Sequence, residues 1–427
     1  MRISRRDESP RAGPALWFDL SGLVRHSGAA SGIQRAISGL AIGLRDALPA
    51  HPIRFCHFDK GRGFGALDDA QVERLLDGLG RALERDRNGS GLVRRLRRRV
   101  TASAPLRSPF AAGDVLLNTG FSTYKPGQHD AVAALLDRSA VHYVGFVYDL
   151  LPVLFPEWWT LEQQARYREW FVWTGRHAAQ LLCCSESTRR DALRFFADAG
   201  IATGPIATVV LGDELPRELA AARDEVREPA APGRPFVLFV STLEARKNHR
   251  LLFQVWRRLL AAHGPERVPD LVFVGKRGWL IGDFVSELEN ARFLDGKIVW
   301  REHVDDTELA LLYATCLFTV YPSLYEGWGL PVAEALAFGK YCVASNAASL
   351  PEVGRDFADY HDPHDVAGAT ARIERAIFDD AYRDTRQRAI GEGFRARSWQ
   401  ESAVHLLREI EPLIGVQRGA VSGAERR

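Results

Sequence analysis

The chain has 427 residues, of which 46% are hydrophobic and 26% charged, and its formal net charge is +2. This is the composition of a soluble globular protein, and it gives no global electrostatic reason to bind nucleic acid. One ordinary core does not serve a chain of this length, so two domains of about 200 residues each are expected.

Short apolar runs alternate with longer helical patterns through both halves, which implies parallel α/β layers. In the first half the pattern predicts strands near 15–19, 52–58, 114–118, 141–148, 179–184 and 206–210. Helices fall near 32–48, 69–86, 129–138, 161–178 and 187–198. Residues 1–215 are taken as a first Rossmann-like domain. The charged and Pro/Ala-rich string AARDEVREPAAPGRP places a linker at 216–235. A second alternating set follows in 236–396, with strands near 236–240, 270–275, 297–300, 317–321 and 341–344. The fold class is therefore α/β, with two doubly wound domains. An amphipathic helix is expected at 397–415 and a polar, disordered tail at 416–427.

Five cysteines show no spacing for a disulfide framework or a zinc site, even though Cys183 and Cys184 are adjacent, which fits a reducing compartment. The N-terminus has arginines without the apolar run of a signal peptide, and no segment offers about 18 uninterrupted apolar residues. A cytoplasmic location is expected, with peripheral contact at the inner face of the plasma membrane left open. VRRLRRRV offers Arg94, Arg95, Arg97, Arg98 and Arg99 either to an anionic membrane surface or to solvent as an ordinary helix face.

Doubly wound sheets bind ligands at the carboxyl ends of their strands, and the candidate motifs follow predicted strands. SGIQRAISGL puts Gly32 where close backbone approach to a ligand is possible, with Gln34 and Arg35 either facing that ligand or serving as first-turn residues. GFVYDLLPVLFPEWW leaves Tyr148 and Asp149 at a strand's carboxyl edge, and Asp149 is otherwise a helix cap. CCSESTRRDAL places Ser185 before a helix, where capping is the preferred reading. STLEARKNH sets Arg246 and Lys247 at a helix start, a fork and a point charge suited to a diphosphate. VFVGKRGW supplies a strand, the Gly275–Lys276 turn and an aromatic residue.

The densest motif is YPSLYEGWGLPVAEALAFGK, 321–340. Pro331 suits the first helical position and Gly339 the left-handed residue past the end. Gly327, Trp328, Gly329 and Leu330 leave backbone N–H groups bare at a helix start, where a phosphate or a hydroxyl-rich ligand is held. Glu326 stays in the loop and Glu334 sits one turn into the helix. Two such acids can divide hydrogen bonding to sugar or ribose hydroxyls from support of a cationic transition state. HDPHD at 361–365 reads as a helix cap rather than a metal cluster, and neither a metal site nor a serine triad is supported.

These strings resemble the sugar-nucleotide signature of retaining GT-B glycosyltransferases of family 4, strongest from 236 to 354. The resemblance implies a cleft between two facing domains, with the C-terminal helix crossing back to brace the first. It implies that Arg246 and Lys247 hold the donor diphosphate without a metal, that Glu334 takes the ribose hydroxyls and Glu326 the sugar hydroxyls, and that Gly275, Lys276 and Val304 approach the nucleoside. Gly32, Gln34, Tyr148, Asp149 and Ser185 would face the acceptor side, with Glu326, Asp149, Arg246 and Lys247 as the catalytic group. Tyr148 departs from the histidine that many relatives carry. The expected reaction moves a hexose, mannose from GDP-mannose by first choice, onto a glycan or lipid-linked glycan. A nucleotide sugar is thus a co-substrate and no cofactor is required. A sugar-nucleotide epimerase and a non-catalytic binding subunit are the alternatives.

Overall fold

A computed structural model of the protein describes residues 13–24, 32–47, 52–60, 62–76, 109–120, 127–226 and 233–414. The arginine segment 94–99 and the tail beyond 414 lie outside the described residues.

The first sheet has seven strands: β1 (Leu16–Asp19), β2 (Ile53–Asp59), β3 (Gly63–Leu67), β4 (Val115–Asn118), β5 (His142–Val147), β6 (Gln180–Cys183) and β7 (Ile206–Thr208), in the order β3-β2-β1-β4-β5-β6-β7. All neighbours pair in parallel except β2 and β3. The second sheet, β8 (Phe236–Val240), β9 (Asp270–Val274), β10 (Ile298–Arg301), β11 (Thr319–Tyr321), β12 (Cys342–Ser345) and β13 (Ala358–His361), runs β10-β9-β8-β11-β12-β13 and is parallel throughout. The central strands LWFD, VLLN and FVLFV are almost wholly buried, as a parallel sheet covered on both faces requires. Two doubly wound domains are thus present.

Three features differ from the sequence reading. β3 is an added antiparallel edge strand formed by GFGAL, whose glycines mask any strand periodicity. β13, ADYH, is a half-polar edge strand of the second sheet that the apolar pattern missed. The predicted linker is partly helical: Arg217–Glu225 forms a helix whose Leu219 and Ala222 bury against Ala310 of helix Asp306–Thr315. A small apolar cluster orders a segment whose charge and alanine content gave no strong pattern.

In each sheet the strand order reverses beside the first strand, between β1 and β4 and between β8 and β11. The loops after β8 and β11 therefore diverge and leave a crevice at the carboxyl edge. β8 leads to Arg246 and Lys247, and β11 leads to Glu326.

The C-terminal helix, Trp399–Ile414, returns to the first domain and packs on helix Gly32–Ala47. The contact depends on Gly39 and Gly43. A Cβ on Gly39 would lie 2.1 Å from the Trp399 ring and one on Gly43 2.2 Å from the Trp399 carbonyl oxygen. Gly39→Val should cost about 1–3 kcal/mol by overpacking, read as a lower urea midpoint at unchanged slope. Adding Trp399→Ala should recover part of that loss, because the two positions share one contact.

Candidate active site

The site is built from loops at the carboxyl edges of both sheets. After β8 the chain makes a short turn, Ala245–Lys247, and Asn248 takes a left-handed conformation (φ 61°) before helix His249–His263. Asn248 Nδ2 donates to the carbonyls of Pro322 (3.1 Å) and Pro363 (2.8 Å). The Leu324 N–H donates to the Arg246 carbonyl at 2.8 Å. These bonds lock the loops after β8 and β11 together, so that charged residues 80 positions apart meet.

Glu326 is buried, and its Oε2 accepts from Arg246 Nη1 at 2.7 Å. Its Oε1 accepts from Lys247 Nζ at 2.6 Å and from the Tyr321 hydroxyl at 3.2 Å. Arg246 also reaches Glu244 Oε1 at 2.8 Å, and Lys247 Nζ donates to the Tyr321 hydroxyl at 2.9 Å. Burial pushes the Glu326 carboxyl up, but the opposing charges of Arg246 and Lys247 and the hydrogen bonds prevail and hold it at about 2. Burial and the adjacent Arg246 push Lys247 below the usual lysine value, against the pull of Glu326.

Asp149 completes the group from the first domain. Its Oδ1 accepts from the Leu151 N–H at 3.1 Å. Burial raises its carboxyl above the ordinary value, partly offset by Arg246. It is both a turn cap and a member of the charge cluster.

Helix Leu330–Ala337 begins where Pro331 indicates, and Gly329 (φ 133°) precedes it. Glu334 is buried, and its Oε2 accepts from the Tyr313 hydroxyl at 2.9 Å. Its Oε1 meets Arg35 Nη1 at 2.5 Å. Arg35 stands on helix Gly32–Ala47 of the first domain, so this ion pair crosses the cleft. Gly32 lies beside Leu330 in the same approach, the distance from a Gly32 Cβ to Leu330 Cδ1 being 3.8 Å.

The domains touch elsewhere along this edge. A Cβ on Gly327 would stand 2.1 Å from the Tyr148 carbonyl oxygen, so only glycine permits the approach. Cys184 Sγ lies 2.9 Å from that carbonyl and 3.1 Å from the Gly327 carbonyl. Glu352 accepts from the N–H groups of Glu186 and Ser187, each at 2.8 Å, at the start of helix Glu186–Asp198, where a carboxylate is favoured by the helix dipole.

The structure therefore gathers Asp149, Arg246, Lys247, Glu326 and Gly327 into one cluster and sets Glu334, Leu330 and Gly32 beside it. Other expected residues have structural occupations. The Ser185 side chain caps its helix by accepting from the Thr188 N–H. Tyr148 is packed against Phe146, and its hydroxyl is buried without a hydrogen-bond partner. Gln34 and Trp328 are buried, the latter with its indole N–H unpartnered. Val304 packs on the cluster containing Phe236 and Leu312. Gly275 (φ 150°) turns the chain so tightly that a Cβ would lie 2.0 Å from the Ser241 carbonyl oxygen, while Lys276 is exposed. The sequence reading missed Glu244, Tyr313, Tyr321 and Glu352 as members of the site and left Arg35 undecided. Glu244 and Tyr321 stand inside the quoted motifs, whereas nothing local marks Glu352.

Residues 222–395 match the family model for glycosyl transferases group 1. The chain is 34% identical over 227 residues to O-antigen chain mannosyltransferase B of Escherichia coli, covering 52% of this chain and 58% of that protein. It is 26% identical over 319 residues to the serotype-specific mannosyltransferase WbdA of Escherichia coli, covering 71% of this chain and 38% of that one. The chain thus spans about half the length, or less, of these relatives. Among solved structures, sucrose-phosphate synthase from Thermosynechococcus elongatus superposes with a TM-score of 0.59 at 15% identity, covering 95% of this chain and 100% of that one.

Glu326→Gln should leave buried Lys247 and half-buried Arg246 short of a counter-charge and cost about 3 kcal/mol. Because the folded carboxyl lies at about 2 and the ordinary value is 4.5, its stabilisation is full above about pH 4.5 and fades as pH falls toward 2. Urea unfolding of both proteins from pH 7 to 3 should show the gap narrowing below pH 4.5.

Proposed function

From the premise that this chain has the GT-B fold and carries a glycosyl transferases group 1 domain, we propose that it is a retaining, metal-independent family 4 hexosyltransferase. It transfers mannose from GDP-mannose to a hydroxyl of a glycan or lipid-linked glycan during polysaccharide assembly. The observation that carries this reading is the cation pair at the switch point of the second sheet, Arg246 and Lys247, held against Glu326 at 2.7 and 2.6 Å. The names of the relatives support mannose as the sugar and an O-antigen chain as the kind of product.

In this reading the donor diphosphate replaces Glu326 as the partner of Arg246 and Lys247. The two cations then stabilise the negative charge that grows on the leaving group, the task a metal performs in other transferases. The backbone N–H groups at Gly327 and Gly329 stand at the same helix start and add donors to the phosphate. The released Glu326 carboxylate accepts from sugar hydroxyls, and Glu334, freed from Arg35, accepts from the ribose. Asp149 brings negative charge to the same cluster from the first domain and supports the cationic character of the reacting carbon through the field rather than by contact.

No carboxylate among the described residues is assigned as nucleophile in this reading, which has the reaction proceed at the front face. The bond from the anomeric carbon to the diphosphate oxygen breaks as the acceptor oxygen bonds on the same side. The acceptor proton passes to the departing phosphate oxygen. Closure of the two domains keeps water out of this step.

The test is incubation of the purified protein with GDP-mannose and a mannose-terminated oligosaccharide, with the product anomer read by NMR. An α-linked product, formed equally well with EDTA present, is expected. Glu334→Ala should lower kcat/KM at least a hundredfold, or about 2.7 kcal/mol. A β-linked product, loss of turnover with EDTA, or a Glu334→Ala enzyme within a few-fold of wild type would contradict the assignment.

A further inference from the structure

At the mouth of the cleft, tryptophans from both domains meet in an arrangement that the donor chemistry does not use. Pro156–Trp158 forms a tight turn in which Phe155 stacks on Trp158, with ring centroids 4.4 Å apart and planes 16° off parallel. Trp159 packs on Tyr167 and, across the cleft, lies 5.5 Å from Trp279. The Trp279 indole N–H donates to the Trp158 carbonyl at 2.9 Å. Yet Trp279 remains 42% exposed, and Leu280 beside it 58% exposed. Leu280 also holds a left-handed backbone (φ 53°), a strained choice for a leucine.

Two polar atoms at this place lack hydrogen-bond partners among the described residues. The Trp159 indole N–H and Glu244 Oε2 are buried without a hydrogen bond, and Glu244 is 3% exposed. Trp158, Trp159, Trp279 and Leu280 border a crevice whose other wall is Glu244 and Arg246. The crevice holds only about 10 Å³, so in this closed state it admits no sugar and must widen to take one.

We infer that this aromatic lip is a carbohydrate subsite that holds the acceptor glycan by stacking on its pyranose rings. The inference rests on the glycosyltransferase reading, which puts the reacting hydroxyl beside Arg246. A chain acceptor has further rings behind its reacting one, and they must leave the cleft past some wall. The wall that adjoins Arg246 is made of indoles. A pyranose offers an apolar C–H face and an edge of hydroxyls, and the lip offers flat apolar rings, one unpartnered N–H donor and one unpartnered carboxylate oxygen. An indole, with an apolar face and a polar N–H, suits a ligand that is apolar on one face and polar at its edge. Because the rings come from both domains, a glycan seated there holds them apart, which couples acceptor binding to how far the cleft opens.

The competing occupant is the nucleobase of the donor, and calorimetry separates the two. Wild type, Trp158→Ala and Trp279→Ala would be titrated with GDP and, separately, with mannotetraose and maltotetraose, after circular dichroism has confirmed that each variant is folded. Wild type is expected to bind GDP and at least one tetrasaccharide. Both variants should bind that tetrasaccharide about tenfold more weakly, and Trp158→Ala should hold GDP within about twofold. Tetrasaccharide affinity unchanged in both variants would overturn the subsite, as would a tenfold loss of GDP affinity with glycan binding intact. Wild type binding GDP but neither tetrasaccharide would overturn it as well. Wild type binding a tetrasaccharide through these tryptophans but no nucleotide would sink the transferase reading and leave the subsite standing.

Discussion

Everything at the cleft depends on one buried ion cluster, Glu326 held between Arg246 and Lys247. Two cations side by side repel each other and lose hydration on burial, so they persist only with a counter-charge of close geometry. The carboxylate supplies it with both oxygens, and Tyr321 and Glu244 satisfy what remains. The fold brings these groups together because β8 and β11 are neighbours at the point where strand order reverses. Their loops leave the same edge in different directions and then close on each other through Asn248 and Leu324. In the proposed reading, a diphosphate would take the place that Glu326 holds against this cation pair.

The same principle operates across the cleft. Glu334 is neutralised by Arg35 of the opposite domain, and Glu352 supplies the anion that the start of helix Glu186–Asp198 favours. The domains thus meet through exchangeable charges as well as through the close backbone approach at Gly327. In the proposed catalytic cycle each glutamate of the motif trades an internal cation for a ligand hydroxyl, and each cation trades a carboxylate for a phosphate. Such exchange keeps the net desolvation cost of ligand binding small, since the ligand replaces partners in a space already dry. Meanwhile the C-terminal helix, seated on Gly39 and Gly43 through Trp399, ties the far end of the chain to the first domain.

Much of this was legible in the sequence because the relevant signals are local. Pro331 and Gly339 bracket the motif helix within a few residues, and the apolar runs before Ser241 and Pro322 mark strands whose carboxyl ends carry the chemistry. What stayed hidden depends on distant pairing. Nothing around Glu326 says that Arg246 lies against it, so the acid reads as free when it is the centre of a cluster. Arg35 and Glu334 are separated by most of the chain, and Glu352 lies in a short helix whose sequence gives no reason to expect a partner in the other domain. The edge strands β3 and β13 escaped because one is glycine-rich and the other half polar, and a strand buried on only part of its surface needs little apolar pattern. The helix at Arg217–Glu225 escaped because it buries only Leu219 and Ala222 of its own residues.

The central claim is that the Glu326-bound cation pair is the diphosphate site, and calorimetric binding of GDP against GMP tests it most directly. Wild type should prefer GDP by at least tenfold, and Lys247→Ala should abolish that preference by weakening GDP while leaving GMP nearly unchanged. A Lys247→Ala protein that still prefers GDP to the same degree would show that the second phosphate is held elsewhere and would contradict the account.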